Sequence, residues 1–230
     1  MAVIETGLGT AGLLVVDPTT GAARSVAMPT EHADGGTNYG HYSWGGFSGV
    51  MAVSLGAATE LFQFRWTSGV AIAVIKRVRI SVAVSTTLFA ASTPMNIDMV
   101  KSGTWSAQGT GGTGITPAAT LKRRGANMGS TALGAGDMRI ATTAGLGAGT
   151  KTLEANALAA ISAGLQITGS TNLTVIPAAT ALFDAEEGSG HHPLVLGQNE
   201  GFSIINRIAL PATGTWGFSV NVDWMENTGY

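Results

Sequence analysis

Residues 60–84 read ELFQFRWTSGVAIAVIKRVRISVAV. From position 72 onward the even places hold Ile72, Val74, Lys76, Val78, Ile80, Val82 and Val84, while the odd ones include Arg77, Arg79, Ser81 and Ala83. A period of two over that length predicts an extended strand with one buried face. Upstream, Phe62, Phe64 and Trp66 alternate with Gln63 and Arg65, and Thr67, Ser68 and Gly69 supply turn chemistry between the two arms. The stretch is therefore expected to form a central β-hairpin. Lys76 interrupts the apolar series, so its ammonium should reach out to water or meet a carboxylate.

The C-terminal block repeats the pattern more cleanly. Trp216, Phe218, Val220, Val222 and Trp224 alternate with Gly217, Ser219, Asn221 and Asp223, which places Trp216, Phe218 and Trp224 in the core. Further strands are predicted at 41–55, 94–100, 138–142, 172–177, 192–196 and 201–210, separated by turn signals such as GAAT at 56–59 and PATGT at 211–215. Residues 179–187 are ambiguous. Many short strands with turns between them predict an all-β chain, an antiparallel β-sandwich or jelly roll, with 41–230 as a single domain. Residues 1–40 hold the apolar run LLVV at 13–16, a DPTTG turn and a returning strand at 22–28, and read as an N-terminal arm or peripheral hairpin. Between 101 and 150 glycine and small residues dominate, which predicts a long Gly-rich loop excursion with short strands that meets neighbouring molecules; an unstructured linker is the alternative. One helix is expected, at 152–164, with Thr152 as N-cap, Leu158, Ile161 and Leu165 at helical spacing and Gly164 at its end.

Composition narrows the class. Only 11% of the 230 residues are charged, 33 are glycine and none is cysteine, and the mean hydropathy is +0.27. Few charges keep copies apart, so much of the surface is expected to be covered by other subunits and the protein to form homo-oligomers. A net charge of −2 with no basic or acidic half argues against nucleic acid or an anionic membrane as partner. The lack of cysteine fits a reducing compartment and excludes disulfides and thiolate-bound metals. The first residues carry no secretory pattern, and no apolar run approaches a membrane span.

Candidate chemistry is sparse. Asp184, Glu186, Glu187, His191 and His192 are the one local concentration of metal ligands, but adjacent histidines on an extended chain point in opposite directions, and a solvated loop is the simpler reading. The glycine runs at 109–114 and 145–149 lack the Gly-Lys-Ser/Thr ending of a phosphate loop. No G-x-S-x-G elbow is present. Lys122, Arg123 and Arg124 form a basic trio without interleaved aromatics, suited to a subunit contact or a solvated loop more than to a phosphate backbone. No catalytic, cofactor-binding or metal residue is assigned, no cofactor is expected, and the chain does not read as an enzyme; a polysaccharide-degrading activity would need carboxylates clustered at glycosidase separations.

Four segments, SGVMAVSLGAATELFQFRW, AVIKRVRISV, HPLVLGQNEGFSI and ALPATGTWGFSVNVDWME, resemble uncharacterised virion structural proteins of tailed bacteriophages. They cover about a third of the chain and are framework patterns of strands and turns. The resemblance implies a capsid decoration or cement protein that binds the assembled shell, with the major capsid protein and copies of itself as partners and the virion, assembled in the host cytoplasm, as its location. Residues 1–28 and 101–150 are the expected contact segments. The alternative is a tail-fibre or receptor-binding protein in which Tyr39, Tyr42 and Trp44 stack on host glycans.

Overall fold

The computed structural model describes residues 40–51, 54–84, 88–89, 94–117, 130–164, 180–185 and 192–227. All of them lie within the compact unit Ala33–Tyr230. Twelve strands and no helix form among them: β1 (His41–Phe47), β2 (Thr59–Trp66), β3 (Ile72–Val84), β4 (Pro94–Ala107), β5 (Thr113–Ile115), β6 (Met138–Ile140), β7 (Thr150–Leu153), β8 (Ala159–Gly164), β9 (Thr180–Asp184), β10 (Leu194–Leu196), β11 (Glu200–Asn206) and β12 (Trp216–Asn227). No helix among the described residues is long and apolar enough to cross a membrane.

The strands make two antiparallel sheets packed face to face, a β-sandwich. One sheet has five strands in the order β1-β12-β3-β10, with β9 also paired to β3; the other has seven in the order β5-β6-β2-β11-β4-β7, with β8 also paired to β4. Aromatic side chains join the layers. Phe64 of β2 meets Trp224 of β12 edge to face at 5.6 Å, and Trp44 of β1 stacks on Phe62 of β2 at 5.7 Å. Tyr42 stacks on Trp224 within the first sheet and Phe64 on Phe202 within the second. Trp216, Phe218 and Trp224 are buried in this core, as their alternation predicts. Each such side chain contributes roughly 1.5–3 kcal/mol through burial alone.

The strands on either side of residues 67–71 form where alternation places them, but they are not a hairpin. β2 pairs with β11 and β6 in the seven-stranded sheet, whereas β3 pairs with β12, β9 and β10 in the other. Residues 67–71 thus carry the chain from one layer to the next. Trp66 Nε1 donates to Ala71 O at 2.7 Å across the connection, and Ser68 Oγ accepts from the Ala71 amide at 3.2 Å. Two strands that each bury one apolar face can pair with each other or face each other, and the alternation is the same in both arrangements.

A β-bulge divides β3. Asp223 pairs with Arg77 and Trp224 with Ile75, leaving Lys76 as the extra residue. Ala73 and Ile75 join the core on one side of the bulge and Val78, Ile80 and Val82 on the other, so the inward phase switches from odd to even. Lys76 is consequently half-buried at the bulge, not a member of an apolar face. Arg77 and Asp223 lie opposite each other with Nε and Oδ2 3.5 Å apart.

The expected helix at 152–164 is two strands. β7 pairs with the second half of β4 and β8 with the first half. A strand of fourteen residues offers a long edge, and the backbone groups of both segments that face it are paired there. Tertiary pairing overrides a weak local helix preference. The strands predicted at 41–55, 94–100, 138–142, 192–196 and 201–210 are present with shifted ends, and residues 180–184 form β9. Residues 1–39 of the expected arm at 1–40, the strand at 172–177 and the basic trio Lys122, Arg123 and Arg124 lie outside the described residues.

Candidate functional site

The outer face of the seven-stranded sheet is polar and buried at once. Alternation that turns Phe62 and Phe64 inward turns Gln63 outward. The register shift at Ile204/Ile205 gives Leu61 to the core and leaves Glu60 on the outer side beside Ser203. Glu60 Oε2 there accepts from Lys151 Nζ, Gln63 Nε2 and Ser203 Oγ, each at 2.7 Å. Lys151 reaches in from β7 with its Nζ 4.2 Å from the Trp105 ring centroid, and it also donates to Ala148 O. Gln63 Nε2 makes a second bond to Gly147 O at 2.9 Å, while Gln63 Oε1 has no donor among the described residues.

Water is kept out by the glycine-rich segments. Residues 108–112 lead from β4 to β5 and residues 141–149 from β6 to β7, so both cross between opposite sides of the sheet, joined by a bond from Gly147 N to Thr110 O at 2.9 Å. Glycine is required where they close on the sheet. A Cβ at Gly109 would stand 1.9 Å from Gly147 O and 2.6 Å from Gln63 Oε1, and Gly149, at φ +70°, would bring one to 2.3 Å from Ala107 O. The Lys151 and Glu60 side chains retain 2% and 5% of their exposure beneath this cover. Burial pushes the Lys151 pKa below the ordinary lysine value, and the hydrogen bond and charge of Glu60 pull the other way. The result is an amine, a carboxylate, a primary amide and a hydroxyl assembled out of water.

A second buried carboxylate, Glu226 of β12, fastens residues 131–133 to the sandwich. It accepts from the Thr131 hydroxyl, from Ala132 N at 2.8 Å and from Trp224 Nε1 at 2.9 Å. A third cluster joins Asp137 to the Thr67 hydroxyl and to Arg65, whose Nη1 lies 3.8 Å from Oδ1. The outermost apolar groups are elsewhere. Phe47 (81% exposed), at the end of β1, an edge among the described strands, and Val50 (56%), just beyond it, are two of these, with Val70 (71%) and Leu158 (46%) the others among the described residues.

The residues singled out from sequence are dispersed. Tyr42 is fully buried, Trp44 is partly buried with one ring face stacked on Phe62, and Tyr39 lies outside the described residues. Asp184 pairs in register with Arg77 on β3, and His192 is exposed. Glu186, Glu187 and His191 lie outside the described residues, and no group of three metal-ligating side chains occurs among those described. The glycine runs at 109–114 and 145–149 pack on their own sheet. The sequence does not mark Glu60, Gln63, Lys151 and Ser203, because each looks like an ordinary outward position on its strand and only the two crossings bring them under cover. The sole local signal is Glu60 and Gln63 flanking the apolar pair Leu61-Phe62.

Scanning protein-family models and searching curated proteins and solved structures found no match to this chain.

Proposed function

We propose that the protein is a structural component of a tailed-phage virion, a decoration or cement protein that binds the assembled shell and itself. The observation that carries this reading is the apolar edge at β1, where Phe47 and Val50 are exposed on a chain with only 11% charged residues. Such a surface gains free energy when it is covered. The four framework segments that resemble phage virion proteins support the same reading, and all four contribute strands to the sandwich core. Its mechanism is linkage: a ligand with affinity only for the assembled lattice stabilises that lattice.

Cosedimentation with purified shells tests the reading. Binding to assembled shells with a raised shell melting temperature is expected, together with weaker binding by a Phe47→Ser variant whose own melting temperature is unchanged. Equal binding by the variant, or recovery of the wild type in the supernatant, contradicts it.

A further inference from the structure

The geometry points to an internal amide cross-link between Lys151 and Gln63, formed by the protein itself with Glu60 carrying the proton. Three features of the buried cluster converge on it. The nucleophile and the amide are held by one oxygen: Lys151 Nζ and Gln63 Nε2 each lie 2.7 Å from Glu60 Oε2, so the two nitrogens are at most twice that distance apart. Each 2.7 Å contact to Oε2 is within the reach proton transfer requires of a general acid–base. The amide is also fixed in orientation, because Nε2 donates to both Glu60 Oε2 and Gly147 O. Turning it over would set Oε1 against two acceptors.

The third feature is the absence of competing water. In solution a lysine is protonated and a glutamine amide is inert toward it. Here the ammonium is desolvated beneath residues 108–112 and 141–149, and the same burial favours the neutral amine. Glu60 takes a proton from Nζ. The free amine adds to Gln63 Cδ, Glu60 returns that proton to Nε2, and a second proton passes from Nζ to the departing nitrogen as the Cδ–Nε2 bond breaks. A bond forms between Nζ and Cδ, nitrogen leaves as ammonium, and Glu60 ends ionised as it began. One ammonium and one amide are consumed and one of each is produced, so no oxidant, metal or co-reactant enters.

The link ties β2 to β7, two strands separated in the sheet by β11 and β4, and fastens the 141–149 crossing to the face it covers. Ser203, which donates to the same carboxylate oxygen, is a positioning residue that holds Glu60 in place.

Mass spectrometry of the purified full chain, intact and after proteolysis, tests this directly. The expected result is loss of one ammonia from the sequence mass and a branched peptide joining the segments that contain Lys151 and Gln63. Lys151→Arg and Glu60→Gln variants are expected to have the unreduced mass. Recovery of Lys151 and Gln63 in separate, unmodified peptides from wild-type protein that melts cooperatively overturns the proposal, as does an ammonia loss mapped to any other residue. Because the wild-type peptide map decides whether the link exists, a variant that fails to fold does not shelter it. A branched peptide that persists in Glu60→Gln overturns the role of the carboxylate.

Discussion

Glu226 shows how much one side chain decides. Burial raises its pKa above the ordinary glutamate value of 4.5, while the bonds from the Thr131 hydroxyl, the Ala132 amide and the Trp224 indole pull it back. A carboxyl raised in the folded state contributes stability that is complete below the unfolded value and is lost as pH rises through the folded value. Replacing Glu226 by Gln removes that titration and keeps the shape, with one acceptor oxygen in place of two, a loss that does not depend on pH. Urea midpoints measured from about pH 4 to about pH 8 should therefore show the wild type losing stability relative to Glu226→Gln as pH rises. A constant difference across that range would mean the carboxyl is not titrating in the fold. Neither the burial nor the loop at 131–133 is visible in the sequence, where Glu226 follows the strand pattern of β12 as one more polar residue near its end.

At the scale of elements, what the sequence discloses is the strand, and what it conceals is the partner. Phe62, Phe64 and Trp66 alternate because β2 buries one face, and Trp216 to Trp224 alternate for the same reason. That β2 and β3 lie in different sheets depends on β11 and β12, which arrive more than a hundred residues later. The bulge at Lys76 had a trace: the consecutive polar pair Lys76-Arg77 is where odd-phase Ile75 hands over to even-phase Val78. Residues 152–164 mislead because alanine, leucine and a threonine cap suit a helix until the long edge of β4 is available. The glycine-rich crossings carried the composition of a linker, yet their glycines mark close contact within the chain. Gly109→Ala should lower stability by about 1–3 kcal/mol through overpacking against Gly147 O. Gly103→Ala, with nothing within 4 Å of the new methyl, should be neutral or stabilising by up to about 1 kcal/mol. Thermal melts of the two variants check this, and equal melting temperatures would mean that the crossings do not press on the sheet.

For the whole molecule, composition and architecture speak to class more than to partner. Low charge, abundant glycine and an all-β sandwich suit a protein that works through covered area, and the exposed Phe47 and Val50 name one place where that cover would begin. The buried Glu60, Lys151 and Gln63 cluster lies on the outer face of the other sheet, away from the β1 edge, so tying the sandwich and binding a lattice are separable properties. The role proposed for this chain is that of a virion shell component. Its most direct test is the number of copies of this protein in purified particles, measured by quantitative mass spectrometry against the major shell subunit. A copy number comparable to that of the shell subunit is predicted; a few copies per particle would move the protein to a tail or fibre, and its absence from particles would contradict the account.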